Sequence, residues 1–204
     1  IARLQPLPAG TAAAGEDWEG DWLSPAAVDL QINGGLGLAF PELQEGDLPT
    51  LLALLERLWQ DGVEAICPTI VTCACADLRR ALTVLAEARR QHRPGRCRLL
   101  GAHLEGPFLE PSRRGAHPAQ HLAAPSLEAL DERIEGLEDA IALVTLAPEL
   151  PGAAAVIEAL VAQGIVVSLG HSAASEAEAE AAYSQGVRMV THAFNAMPDM
   201  HRRA

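Results

Sequence analysis

The chain has 204 residues, a formal net charge of −12 and 49% hydrophobic side chains. That length exceeds a minimal domain but falls short of the roughly 250 residues of a complete eightfold α/β barrel. The acidic balance argues against nucleic acid or an anionic membrane as a partner, and an anionic small molecule would need a local cluster of positive groups.

No window approaches the length of a membrane span, and the first residues lack the charged and apolar regions of a signal peptide. The chain starts at Ile1 and runs out through Arg202, Arg203 and Ala204 without a stop signal, so both ends read as cuts. Cys67, Cys73, Cys75 and Cys97 form no CxxC pair. All four lie in or beside apolar strand-like segments, where a thiol acts as a small hydrophobe. They point to a reducing, cytoplasmic setting.

Residues 1–25 are rich in Gly, Ala and Pro with weak periodicity and read as an N-terminal segment, the remnant of a small β domain. From residue 26 to 204 short apolar runs alternate with longer amphipathic ones. Residues 26–33 read as a strand closed by Gly34-Gly35. Residues 48–60 read as a helix with Leu51, Leu52, Leu54, Leu55 and Leu58 on one face. Strand 63–72, helix 77–91 and strand 97–103 follow.

Residues 110–125 carry Pro111, Gly115, Pro118 and Pro125 and read as a long loop, a feature that is usually functional or disordered. Ser126 then caps a helix bearing Leu127, Leu130 and Ile134. Strand 141–146, helix 153–163, strand 165–169, a helix capped by Ser175 and strand 187–192 complete the series. Strands alternating with helices at this spacing imply a parallel sheet. The expected fold is α/β, a TIM-like (β/α)8 barrel of which about six βα units are present.

Three of the strand-like runs end on side chains suited to a metal: LLGAHLEGP over 99–107, VVSLGH over 166–171 and VRMVTH over 187–192. Barrel active sites collect at the C-terminal ends of the strands, and Glu with two His is a three-ligand zinc set that leaves a fourth position for water. Glu105 is the most telling member. A buried carboxylate needs a charge partner or a metal, and no basic residue follows it before Arg113. His171 and His192 alone would each read as structural; with Glu105 at matching strand ends they read as ligands. His103 shares a strand face with Glu105 and reads instead as a satisfied interior histidine.

Seven motifs then occur in order: Asp29-Leu-Gln31-Ile-Asn33-Gly34, Cys67-Pro-Thr69, His103-Leu-Glu105-Gly-Pro107, Arg114-Gly-Ala-His117-Pro, Val144-Thr-Leu-Ala-Pro-Glu149, Gly170-His171-Ser172 and Thr191-His192-Ala-Phe-Asn195-Ala-Met-Pro198. From about residue 22 onward the chain closely resembles the N-acetylglucosamine-6-phosphate deacetylase family of the amidohydrolase superfamily. The resemblance implies hydrolysis of the N-acetyl group of N-acetyl-D-glucosamine 6-phosphate to D-glucosamine 6-phosphate and acetate. It implies metal ligation by Glu105, His171 and His192, sugar contacts from Ala116 and His117, and contacts near the phosphate from Asn195 and Ala196. It also implies that Arg203 binds the phosphate, acting across a homodimer interface.

Many members of the superfamily carry His-x-His where this chain has Gln31 and Asn33. Amides replace imidazole poorly toward a transition metal, so a single divalent ion, zinc, is expected. The family's general base is an Asp after the eighth strand, which places it beyond residue 204. Asp29, inside the first strand, and Asp199, in a loop past the sixth, are poor substitutes. Two alternatives stay open: action on the galactosamine epimer, and a truncated relative that binds sugar phosphate without catalysis.

Overall fold

Six parallel strands lie side by side in the order in which the chain makes them, each separated from the next by a helical connection. The computed structural model describes Gly10 and residues 24–198. The N-terminal segment 1–25 therefore falls almost wholly outside the described residues, as do Asp199 and Arg203.

The elements are β1 (Ala27–Ile32), a two-residue hairpin pair β2 (Gly34–Gly35) and β3 (Leu38–Ala39), α1 (Leu48–Gln60), β4 (Val63–Val71), α2 (Cys75–Arg90), β5 (Arg98–Leu99), β6 (Ala102–Glu105), α3 (Leu127–Ile134), β7 (Ile141–Leu146), α4 (Ala153–Ala162), β8 (Val166–Leu169), α5 (Glu176–Ser184) and β9 (Met189–Val190). The sheet order is β1-β4-β6-β7-β8-β9, with β5 pairing β4 beside it, and the register of each pair is parallel. This is a parallel, curled sheet, a half-barrel. The curl brings the hydroxyls of Thr145 and Thr191, from elements two apart in the sheet, to 2.6 Å.

The strands obey the period of two. Ile66, Ile70, Leu104, Val144, Leu146, Val167 and Leu169 join the hydrophobic core with the helices. Thr69, His103, Glu105, Thr145 and Ser168 alternate with them and are also buried. The helices contribute apolar stripes: Leu51, Leu54 and Leu55 from α1, and Leu78, Ala81, Leu82, Leu85 and Ala88 from α2. Burying such a leucine contributes about 1.5–3 kcal/mol over leaving it in water. Ser126 Oγ accepts from the Ala129 N–H, and Ser175 forms a reciprocal capping box with Glu178.

Four local readings are corrected. The expected strand 97–103 is two pieces, β5 and β6, because Gly101 sits at φ 141° with no room for a Cβ beside the Ala142 nitrogen, 2.8 Å from where it would lie. The sixth strand is only Met189–Val190, which leaves Thr191 and His192 past its end. Cys75 opens α2 rather than flanking a strand. The long loop has structure of its own, with 3-10 turns at Pro111–Arg113 and Ala119–His121; Pro111 opens the first and Pro118 precedes the second, each with its backbone φ preset by the ring. The outer edges, β1 and β9, expose Val28, Leu30 and Val190.

Candidate functional site

Glu105 is the last residue of β6, His171 lies two residues past β8 and His192 two past β9. All three arrive at the same end of the parallel sheet. Their distal atoms form a nearly equilateral triangle: Glu105 Oε1 to His171 Nε2 is 3.1 Å, Glu105 Oε1 to His192 Nε2 is 3.0 Å, and the two Nε2 atoms are 3.0 Å apart. Both histidines sit at positive φ, 49° and 33°, in the left-handed region. Such backbone is costly and persists where the surroundings over-determine it, commonly at functional sites.

The triangle is electrostatically incomplete without a cation. His171 Nδ1 lies 2.9 Å from the Arg113 carbonyl, which only accepts, so Nδ1 carries the proton. Neutral His171 would then turn a bare Nε2 lone pair onto a carboxylate. Either a proton or a metal must lie between them. Burial disfavours charge on His171, but the hydrogen bonds to Glu105 and to the Arg113 carbonyl outweigh it and raise the pKa above the ordinary value, which favours the proton in the metal-free protein. Burial likewise pushes the Glu105 carboxyl up, yet the bond from His171 and the pull of His117 and His103 outweigh it and bring it down to about 2. Ligand atoms a little over 3 Å apart are also what a four-coordinate ion at about 2.0–2.2 Å from each would impose. The donor set fits a divalent cation.

His117 stands beside the triangle. Glu105, His117 and His171 each offer a ligand atom, all within 4.8 Å of one another. His117 Nε2 is 3.9 Å from Glu105 Oε2, and its ring meets that of His171 edge-on at 4.5 Å. The Thr72 N–H points at His117 Nδ1 at 3.3 Å. The Thr72 hydroxyl lies 3.0 Å from the same Nδ1. The backbone N–H can only donate, which favours an accepting Nδ1 with the proton on Nε2; the hydroxyl, while it donates to Glu105, favours the reverse. In the first tautomer His117 presents an N–H to the cavity, whereas a metal ligand needs a lone pair there. Burial pushes its pKa to about 4, against the pull of Glu105, and the ring stays neutral at pH 7.

Thr72 also supports Glu105 through its hydroxyl, which donates to the Glu105 carbonyl at 3.0 Å. Gly106 makes this approach feasible. A Cβ there would fall 2.1 Å from Thr72 Oγ1, and its φ is 90°. Gly106→Ala therefore costs about 2–4 kcal/mol, combining left-handed strain with buried hydrogen bonds lost. Urea midpoints of the two proteins measure it; an unchanged midpoint would show that Thr72 yields freely.

A cavity of ≈ 470 Å³ opens over the triangle, lined by Ala116, His117, Asn195 and Ala196 among others. Four expected substrate contacts therefore share one cavity with the three expected ligands; Arg203 lies outside the described residues. The segment after His192 turns back through Phe194 and Ala196, both at positive φ, and the Ala196 carbonyl accepts from the Ser172 N–H at 3.2 Å. A neighbouring cleft of ≈ 690 Å³ shares Asn33, Val71 and Ala116 with this cavity.

Three contributors escaped the sequence reading. Gln31 Nε2 donates to Glu105 Oε1 at 3.2 Å, so the amide that makes a poor metal ligand serves as a hydrogen-bond donor to the carboxylate. Its place two residues from Asp29 and Asn33, on one strand face, was the available signal. Thr72 and the Arg113 carbonyl left none. His103, read as an interior histidine, is 1% exposed and bonded to Thr69 and Thr145.

No protein-family model matches the chain. It is 41% identical over 191 residues to N-acetylglucosamine-6-phosphate deacetylase of Bos taurus and 40% identical over 191 residues to that of Homo sapiens, covering 92% of this chain and 46% of each relative. N-acetylgalactosamine-6-phosphate deacetylase of Escherichia coli O157:H7 is 32% identical over 204 residues, covering 100% of this chain and 52% of the relative. Among solved structures, N-acetyl-D-glucosamine-6-phosphate deacetylase from Mycobacterium smegmatis superposes with a TM-score of 0.77 at 32% identity, covering 88% of this chain and 45% of that one. An aspartate-to-alanine mutant of that enzyme, in complex with N-acetyl-D-glucosamine-6-phosphate, gives 0.76 over 88% of this chain and 45% of that one. The chain spans about half the length of the curated relatives it matches. In sequence and in fold it belongs to the N-acetylglucosamine-6-phosphate deacetylase family.

Proposed function

We propose that the protein carrying this chain removes the N-acetyl group of N-acetyl-D-glucosamine 6-phosphate, releasing acetate. The observation that carries the reading is the convergence of Glu105 Oε1, His171 Nε2 and His192 Nε2 within 3.0–3.1 Å at the C-terminal ends of parallel strands. These three residues are the metal set of the proposal. One divalent ion, zinc, supplies there a Lewis acid that polarises an amide carbonyl and acidifies water.

The chain's own residues do the rest. The Arg113 carbonyl fixes the His171 tautomer so that Nε2 faces the site. Gln31 orients the Glu105 carboxylate. His117, its Nδ1 engaged by Thr72, offers the Nε2 proton as a hydrogen bond to a substrate oxygen. Ala116, Asn195 and Ala196 shape the sugar-phosphate pocket, and Arg203 is assigned to the phosphate across a homodimer interface. Glu105 is the one carboxylate among the described lining residues, and it is committed to its histidines. The proton acceptor for the attacking water is assigned to an Asp beyond residue 204, on a sheet completed to the eight strands of a barrel. Residues 26–204 are the matching partial barrel of that protein. Its setting is cytoplasmic, in keeping with four cysteines that are all free; among the described residues no helix is long and apolar enough to cross a membrane.

The test is acetate release by the protein from its natural source, with the intact mass taken on the same sample. Release from the glucosamine substrate by a protein well above 21.5 kDa is expected; release from the galactosamine epimer alone would move the substrate assignment. A metal-loaded protein inert toward both would favour a binding relative without catalysis. His117→Ala is expected to keep its metal and to lose about 10²-fold in kcat/KM through the missing donor. Loss of the metal in that variant would make His117 a ligand.

A further inference from the structure

Below the triangle runs a chain of buried hydroxyls and one imidazole. Ser168 Oγ lies 2.8 Å from Thr191 Oγ1, which lies 2.6 Å from Thr145 Oγ1. Thr145 Oγ1 is 2.7 Å from His103 Nε2, and His103 Nδ1 is 3.2 Å from Thr69 Oγ1. Thr69 Oγ1 donates in turn to the Cys67 carbonyl at 3.5 Å. The chain crosses the inner face of the half-barrel from β4 to just past β9, and its members are 0–5% exposed. One direction of donation, from Ser168 through to Cys67, satisfies every hydroxyl and the single N–H of a neutral His103.

Barrel interiors are ordinarily filled by layers of branched apolar side chains, so a polar layer in this position calls for a physical reason. Gly170 leaves it space: a Cβ there would fall 2.6 Å from Thr145 Cγ2 and 3.1 Å from Thr191 Cβ. Without that Cβ, the two threonines meet across β8.

The two histidines of the triangle are held differently. His171 is locked at Nδ1 by the Arg113 carbonyl. The Nδ1 of His192 is buried and has no hydrogen-bond partner among the described residues. His192 also follows a two-residue strand at the sheet edge, on backbone at φ 33°. What anchors this end of the chain is the residue before it. Thr191 bonds through its hydroxyl to Thr145 and Ser168, and its N–H donates to the Leu169 carbonyl at 2.8 Å.

We propose that Thr191 is a positioning residue for His192: the buried hydroxyl chain, acting through Thr191, sets the depth and direction of the His192 ring against Glu105 and His171. This rests on the reading of those three residues as a metal set. The imidazole whose Nδ1 has no partner among the described residues is aligned through its neighbour's hydroxyl, and the strained backbone at His192 follows directly on the residue that these three hydrogen bonds hold. Residues that orient a ligand typically change metal affinity by about 10–100-fold when removed.

The test uses Co²⁺ as the probe, with affinity by competition and the visible absorption of the bound ion as the geometric signature. Thr191→Val keeps the shape and removes the hydroxyl; it is expected to weaken Co²⁺ binding by about 10–100-fold and to shift the visible bands. Thr191→Ser restores the hydroxyl and is expected to bind like the unsubstituted protein, with the same bands. Thr191→Val with unchanged affinity and spectrum overturns the proposal, even if its melting temperature falls. Should Thr191→Val fail to fold, Ser168→Ala decides: it leaves Thr191 one partner, so weaker binding supports the proposal and unchanged binding overturns it. If the unsubstituted protein itself takes up no Co²⁺, the metal reading fails and the positioning role with it. Tight Co²⁺ binding that is indifferent to Thr191 would remove the positioning role alone.

Discussion

Glu105→Gln is expected to lower divalent-metal affinity by at least about tenfold while the fold survives, since it removes the only anion from the proposed, buried metal set. The amide matches the carboxyl in size, so packing around β6 is retained. What changes is charge. His171, whose Nδ1 proton is committed to the Arg113 carbonyl, would face a neutral group, and the attraction that holds Glu105 ionised down to about 2 would have no counterpart. Metal content after dialysis, with circular dichroism on the same sample, checks both halves. Full occupancy in the variant would take Glu105 out of the ligand set.

The metal-free protein is expected to lose stability when acidified from pH 7 to pH 5. His103 and His117 are each pushed by burial to about 4, against the opposing pull of Glu105, from an ordinary 6.5. Below pH 6.5 the unfolded chain therefore binds more protons than the fold, and stability falls with pH until about 4. Between pH 7 and pH 5 this amounts to roughly 2 kcal/mol for each ring. Glu105 adds nothing in that window, because its contribution is present above 4.5 and is lost only as the pH falls toward about 2. His171 acts in the opposite sense: its contribution is present below 6.5 and is lost as the pH rises through its raised value. Urea midpoints at pH 7 and pH 5 read the balance. A midpoint that holds or rises on acidification would mean that the two buried rings are not kept neutral.

Much of the scaffold was legible because helices and strands carry different periods. The leucine stripe over 48–60 coincides with α1, and Ser126 and Ser175 cap the helices they precede. The strand ends bearing Glu105, His171 and His192 were legible because an ionisable residue closing an apolar run is conspicuous. Where those ends meet was not. Strand alternation tells which face His103 and Thr145 occupy, but not that they touch, since the residues are 42 apart in sequence and only the curl of the sheet joins them. The break between β5 and β6 depends on the close approach of Ala142 to Gly101, a contact no local pattern announces. Thr72 is similar: an ordinary threonine after an apolar strand that supports Glu105 and His117 because β4 and β6 are neighbours.

The relatives extend the argument without replacing it. Identity near 40% over 92% of the chain and superposition at a TM-score of 0.77 carry the family. Within that fold, we propose His192 rather than His117 as the third ligand: His192 Nε2 sits 3.0 Å from both Glu105 Oε1 and His171 Nε2, whereas His117 Nε2 is 3.9 Å from Glu105 Oε2.

The most direct measurement is an anomalous difference map at the zinc edge from crystals of the zinc-loaded protein. The account predicts one peak per chain, about 2.0–2.2 Å from Glu105 Oε1, His171 Nε2 and His192 Nε2, with His117 outside bonding distance. A peak bound by His117 in place of His192, or no peak at this site in zinc-loaded crystals, would contradict it.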